Sequence, residues 1–266
     1  MFGNQLKDKA LQIRIDILNA IKKAKKGHIG GSYSIVEILV ALYYGKIIQF
    51  DSKNPKSEKR DRLLLSKGHA GVALYAVLAD LGFFPKEEMN FLNNKKMLGE
   101  HPDQFIPGIE FVSGSLGHGL GIGCGLAYLY KKKNIDKKVY VVISEGELYE
   151  GSTWEALLFA AHHKLDNLNI IIDENSLIIL GNTDNCLKLD PIKNKIEGFG
   201  FEVIEVDGHN LDELDNAFSK KTDKSKIVLA KTIKGKGFSI MENKAHWHYW
   251  NAINEKDIEI CRKDIE

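Results

Sequence analysis

Two short acidic segments are the places where this chain could do chemistry: Ser144-Glu145-Gly146-Glu147-Leu148-Tyr149-Glu150-Gly151 and Asp173-Glu174-Asn175-Ser176. Each follows a β-branched apolar run, Lys138–Ile143 and Leu168–Ile172, so each lies where a buried strand would hand the chain to a loop. A carboxylate, an amide oxygen and nearby carbonyls make a hard oxygen donor set, suited to Mg²⁺ or Ca²⁺ with positions left for phosphate oxygens. Acids in a turn are also commonly just solvated, and the two segments alone leave both readings open.

Between Ser113 and Gly125, glycine recurs at every second position from Gly117. No register of this tract spells GxGxxG, so nicotinamide binding is weakly supported. Close backbone approach to a ligand and glycine-mediated helix packing both remain open. His28, His69, His101, His246 and His248 sit beside glycine or in short loops. Any one of them alone reads as an ordinary hydrogen-bonded histidine. Together they point to a polar pocket, because imidazole can donate to phosphate and hydroxyl oxygens at neutral pH. They have no HExxH or other zinc spacing. Adjacent His162 and His163 fall within a predicted helix, one packed and one exposed.

The elements that must position these residues are legible in the periodicity. Leu11, Ile15, Leu18 and Ile21 recur at helical spacing, and Ser34-Ile35-Val36-Glu37 reads as a capping box opening a second helix. Pro85 before Lys86-Glu87-Glu88 reads as a helix start, and loops follow to about Gly117. Strands over Lys138–Ile143 and Leu168–Ile172 enclose a helix that opens at the capping box Ser152-Thr153-Trp154-Glu155 and runs to about Leu165. Candidate strands Phe201–Val206 and Lys226–Lys231 flank a helix over Leu211–Ser219. Repeated βα alternation predicts an α/β, doubly wound, mainly parallel sheet with helices on both faces, where ligands sit beyond the carboxyl ends of the strands. No repeat or linker divides the chain, so residues 1–266 are expected to form a single domain.

Composition narrows the function. Lys plus Arg number 37 against 36 Asp plus Glu, for a net charge of +1, which argues against a nucleic-acid-binding surface. Hydrophobic residues at 44% and charged residues at 27% are those of a globular chain. The longest apolar stretch, Ala70–Ala79, falls well short of the ~20 residues of a membrane helix, so no membrane partner is expected. The early charges at Lys7 and Asp8 lack the apolar core of a secretory signal, and a cytoplasmic location is expected. Cys124, Cys186 and Cys261 are too far apart for a CxxC metal site and read as buried or incidental thiols.

In this combination the chain resembles the thiamine-diphosphate-binding half of transketolase, above all the N-terminal subunit of the split, two-chain transketolases. The resemblance runs in order through Gly27-His28-Ile29-Gly30-Gly31-Ser32, Arg60-Asp61-Arg62, Leu65-Ser66-Lys67-Gly68-His69-Ala70, Gly99-Glu100-His101-Pro102-Asp103 and Gly114-Ser115-Leu116-Gly117. It continues through Gly146–Gly151 with Trp154-Glu155-Ala156, Leu165-Asp166-Asn167-Leu168, Val206-Asp207-Gly208-His209, Lys231-Thr232-Ile233-Lys234-Gly235-Lys236-Gly237 and Met241-Glu242-Asn243.

The resemblance implies thiamine diphosphate held through Mg²⁺ or Ca²⁺, with Glu145, Asn175 and the Leu177 carbonyl as metal ligands. It places His69 and His248 on the diphosphate, and Gly146, Glu147 and Asn175 in the cofactor-binding segments. Gly114 and Leu116 fall on the aminopyrimidine side, and Ile179 against the thiamine ring. His28 and His101 fall on sugar oxygens, and Glu150 at a subunit interface that couples two cofactor sites. The implied reaction transfers a two-carbon ketol unit from a ketose phosphate to an aldose. It requires a pyrimidine-binding, C-terminal subunit, in an assembly of two copies of each chain. Four departures stand out: Ser144-Glu145-Gly146 replaces Gly-Asp-Gly, Ile29 replaces Pro, His118 replaces Gln, and Tyr249 replaces Gly. The last three are expected around the substrate channel. They motivate two alternatives, transfer to a nucleotide-linked or secondary-metabolic sugar, and a non-catalytic paralogue.

Overall fold

A computed structural model describes residues 2–94, 96–222, 224–250 and 254–265. In chain order the elements are α1 (Phe2–Ala24), α2 (Gly30–Tyr33), α3 (Val36–Tyr44), β1 (Arg62–Leu65), α4 (Gly71–Asp80), α5 (Gly119–Lys132), β2 (Val139–Ser144), α6 (Gly151–His162) and β3 (Leu168–Glu174). There follow β4 (Leu177–Ile178), β5 (Gly181–Asn182), α7 (Thr183–Cys186), α8 (Ile192–Glu197), β6 (Glu202–Asp207), α9 (Leu211–Ser219), β7 (Lys226–Lys231) and α10 (Glu255–Lys263).

Five strands form one sheet in the order β1-β2-β3-β7-β6, every neighbouring pair parallel. Period-two alternation divides the strand residues between two apolar layers. Tyr140, Val142, Ile171 and Val228 face a core built with α1, α3, α4 and α9, whereas Val141, Ile143, Ile170, Ile172 and Leu229 face one built with α5 and α6. This is the doubly wound sheet expected from the βα alternation. The strand order reverses beside β3 and β7, and a crevice opens there beyond the carboxyl ends.

Several local expectations are corrected. The buried stripe of α1 is Leu6, Ala10, Ile13, Ile17, Leu18 and Ile21; Leu18 and Ile21 face the core as expected, whereas Leu11 is exposed and Ile15 half-buried. Neither predicted capping box forms. The Ser34 hydroxyl lies 3.0 Å from the Gly31 carbonyl and 2.7 Å from the Asp173 carboxylate, and Glu37 is drawn into a buried pair with Arg14. The Ser152 hydroxyl donates to the Gly117 carbonyl at 2.9 Å, tying α6 to the glycine loop. Lys86–Phe91 is a 3₁₀ segment, and a strand at Arg62–Leu65 and a helix at Gly71–Asp80 form where the sequence reading assigned no element. Of the neighbouring histidines, His162 is exposed and His163 half-buried.

Candidate functional site

The carboxyl ends of β1, β2, β3 and β7 surround a cavity of about 350 Å³. It gathers residues from both acidic segments, from the glycine tract and from four of the five histidines singled out by the sequence. His28 and His101 line it with His69 and His248, and Gly114 and Leu116 form one wall. Glu145, Gly146 and Glu150 enter from the end of β2, while Asn175, Leu177 and Ile179 enter from the end of β3. Lys234, Tyr149, Ile178, Ser144 and Gly31 complete it, five residues to which the sequence alone assigns no role. The strand-end rule that points to β2 and β3 also finds Lys234 when applied to β7, because the Lys-Thr-Ile-Lys motif is where that strand ends.

Two close approaches shape the walls. A Cβ on Gly31 would stand 3.1 Å from the His69 ring, and one on Gly114 would stand 3.3 Å from the His101 ring. Gly114 also has φ +144, a conformation that side chains disfavour, so the loop passes flush against the imidazole only as glycine. The His28 ring is central, with centroids 5.8 Å from His69, 5.6 Å from His101, 5.2 Å from His248 and 4.8 Å from Tyr249. Its Nδ1 lies 3.1 Å from a Glu100 carboxylate oxygen.

Beneath the cavity lies a fully buried ion pair between Lys67 and Asp173. The Lys67 ammonium also donates to the Gly31 carbonyl at 3.0 Å. The Asp173 carboxylate accepts from the Ser34 and Thr232 hydroxyls and, at 3.0 Å, from the Asn175 side-chain amide. Because the amide nitrogen is committed to Asp173, the Asn175 oxygen faces the other way, toward the Leu177 N–H at 3.2 Å. Burial opposes the Asp173 charge, but Lys67 and the hydroxyl donors hold its carboxyl below the ordinary range.

The electrostatics of the cavity favour an anion. Burial, reinforced by Lys67, pushes His69 well below the usual imidazole range, and burial with Lys234 pushes His248 down to about 3. Burial and the Lys67 charge lower Lys234 to about 8. Lys234 donates to His248 Nδ1 at 2.9 Å, so the neutral imidazole carries its proton on Nε2. Nitrogen donors crowded with this much mutual repulsion make a cradle that a polyanion would complete.

Oxygen donors line the same cavity. Glu145 accepts from the Ser176 N–H at 2.7 Å, and burial raises its carboxyl while hydrogen bonds from Thr183 and Ser176 oppose the rise. The neighbouring Ser144 hydroxyl is buried without a hydrogen-bond partner. Burial, followed by the nearby Glu145, raises Glu174 to about 7. One carboxylate, one amide oxygen and the Leu177 carbonyl on a single wall are a donor set that fits a hard divalent cation bridging to phosphate. Among the described residues, no group of three or more His, Cys, Asp or Glu side chains is assembled around a metal position.

Three residues stand elsewhere than expected. Glu147 does not line the cavity; its buried carboxylate accepts from Ser66, from the Gly117 N–H at 3.0 Å and from the Ser144 N–H at 2.9 Å. It holds the glycine loop and the end of β2 together. Ile29 is fully buried in the core, and His118 lines a separate hollow between α5 and α6. Of the three substitutions expected around the channel, only Tyr249 stands beside the cavity histidines.

The family model for the transketolase thiamine diphosphate binding domain matches residues 6–265. The chain belongs to the transketolase family. It is 39% identical to one subunit of the apulose-4-phosphate transketolase of Phocaeicola vulgatus, over 94% of this chain and 90% of that protein. It is 41% identical to the 6-deoxy-6-sulfo-D-fructose transketolase subunit SqwG of Clostridium sp., over 94% of this chain and 92% of that protein. Its fold superposes on transketolase from Campylobacter jejuni with a TM-score of 0.91 and 30% identity, covering 98% of this chain and 42% of that one. This transketolase-family chain thus matches those two subunits nearly end to end but spans less than half of that solved transketolase. No helix among its described residues is long and apolar enough to cross a membrane.

Proposed function

We propose that this chain is the diphosphate-binding subunit of a two-chain transketolase, moving a two-carbon ketol unit from a ketose phosphate to an aldose. The observation that carries the reading is the single cavity that unites the nitrogen donors His69, His248 and Lys234 with the oxygen donors Glu145, Asn175 and the Leu177 carbonyl. The nitrogen donors bind the diphosphate of thiamine diphosphate, and the oxygen donors hold Mg²⁺ or Ca²⁺ against it. Gly114 and Leu116 face the aminopyrimidine, Ile179 covers the thiamine ring, and Gly146 lets the end of β2 pass close to the site. When bound, the cofactor supplies an electron sink for breaking and making the carbon–carbon bond. His28 and His101 hydrogen-bond sugar hydroxyls, with the Glu100 carboxylate 3.1 Å from His28 Nδ1.

The pyrimidine-binding half is supplied by a second polypeptide, in an assembly of two copies of each chain, with Glu150 at the subunit interface. The relatives named as subunits support the need for a second polypeptide. The test is ketol transfer by the purified chain with and without its partner, in the presence of thiamine diphosphate and Mg²⁺. Activity is expected only in the mixture, and turnover by the chain alone would overturn the reading. A second reading, a specialised ketose donor, is favoured by those same relatives, whose names carry apulose 4-phosphate and a sulfofructose, and by Tyr249 beside His28. Comparing kcat/KM for ordinary ketose phosphates against such sugars separates the two.

A further inference from the structure

The Asp207-Gly208-His209 turn after β6 has no part in the site described above. It nevertheless grips the loop that carries Lys234. The Ile233 N–H donates to His209 Nε2 at 2.8 Å, which makes Nε2 the acceptor and puts the imidazole proton on Nδ1. Nδ1 then donates to Glu37 Oε2 at 2.9 Å. Glu37 is held in turn by a two-pronged Arg14 pair at 2.6 and 2.8 Å, and Arg14 Nε donates to the Lys236 carbonyl at 3.0 Å. Arg14 and His209 therefore share one carboxylate and fasten the same loop on either side of Lys234.

The glycines of both motifs are explained by this contact. A Cβ on Gly208 would come within 2.4 Å of the Thr232 methyl, and one on Gly237, at φ +96, within 2.8 Å of Arg14 Nε. Between the two anchors, Gly235 N–H donates to the Gly30 carbonyl at 3.0 Å, and Lys234 reaches His248 at 2.9 Å and the Leu177 carbonyl at 3.3 Å. Lys234 therefore projects from a short loop anchored at Ile233, Gly235 and Lys236.

We infer that His209, backed by Glu37 and Arg14, is a positioning residue that aims Lys234 at the diphosphate. The inference rests on the proposed cofactor site, so its test separates the two. Asn in place of His209 can reproduce the Nδ1 donor to Glu37 but not the Nε2 acceptor, whereas Gln can place an acceptor at the Nε2 position. Amide hydrogen exchange of the full chain over residues 232–237 is compared for wild type, His209→Asn, His209→Gln and His209→Ala, alongside calorimetric titration of each, paired with the partner subunit, with thiamine diphosphate and Mg²⁺.

In His209→Asn and His209→Ala, the Ile233 amide is expected to exchange at least about tenfold faster, with cofactor affinity reduced about five- to tenfold, the worth of one buried hydrogen bond. His209→Gln restores both. Equal protection of Ile233 in His209→Asn and His209→Gln would overturn the clamp. Faster exchange with unchanged affinity would overturn the aiming of Lys234. Paired wild-type subunits that bind no thiamine diphosphate, while exchange follows the expected pattern, would overturn the site and leave the clamp standing.

Discussion

The Lys67–Asp173 pair offers the sharpest test of how this site is built, because both side chains are fully buried beneath it. Replacing Asp173 with Asn removes the carboxylate charge paired with the Lys67 ammonium and leaves it neutral acceptors such as the Gly31 carbonyl and the Ser34 hydroxyl. An uncompensated charge in that position costs about 3–5 kcal/mol. Lys67→Met leaves the Asp173 carboxylate with the Ser34, Thr232 and Asn175 donors, so its cost falls lower, about 2–3 kcal/mol. The double variant removes both charges together and should be more stable than the sum of the single losses implies, by about 3 kcal/mol. Urea unfolding of all four proteins at neutral pH, with a constant dependence on denaturant, measures this coupling. Single losses that add within about 0.5 kcal/mol would refute the pairing. Asp173→Asn also releases the Asn175 amide from its fixed orientation, so Mg²⁺-dependent thiamine diphosphate affinity should fall in that variant more than in Lys67→Met.

Glu145→Ala removes the only carboxylate of the proposed metal set and should lower thiamine diphosphate affinity strongly by calorimetry with Mg²⁺, and Asn175→Ala should act in the same direction but less steeply; equal affinities would remove these residues from the site. His101→Ala should spare cofactor affinity and lower kcat/KM for a hydroxylated donor about fivefold, the equivalent of ~1 kcal/mol, which steady-state kinetics of the paired subunits would show. Burial opposes ionisation of Glu37, but hydrogen bonds from His209 and Arg14 prevail and hold it at about 2 against an ordinary 4.5. Its contribution of about 3 kcal/mol is therefore complete above roughly pH 4.5 and is lost as pH falls toward 2, and Glu37→Gln should flatten that part of the stability profile in denaturant melts.

The sequence by itself determined the layers of the fold and the chemical inventory of the site. Val139–Ile143 and Ile170–Ile172 are unbroken β-branched and apolar runs, the pattern of short strands covered on both faces, and the acids that follow them had to lie at the sheet's carboxyl edge. The histidines carried their meaning through the glycines and loops around them, and four of them, His28, His69, His101 and His248, meet in one cavity. What the sequence could not decide was direction. Ser34, Ser152 and Glu37 have the spacing of helix caps, yet partners distant in sequence, Asp173, Gly117 and Arg14, outcompete the local backbone for their hydrogen bonds. Glu145 and Glu147 are two residues apart and chemically alike, but one faces the cavity and the other is turned into the core by Ser66, Gly117 and Ser144. Strand β1 is too short to announce itself by periodicity and exists because β2 offers it a parallel edge. Lys234 becomes part of the site only because β7 is inserted beside β3, a strand order set by long-range pairing that no local pattern encodes.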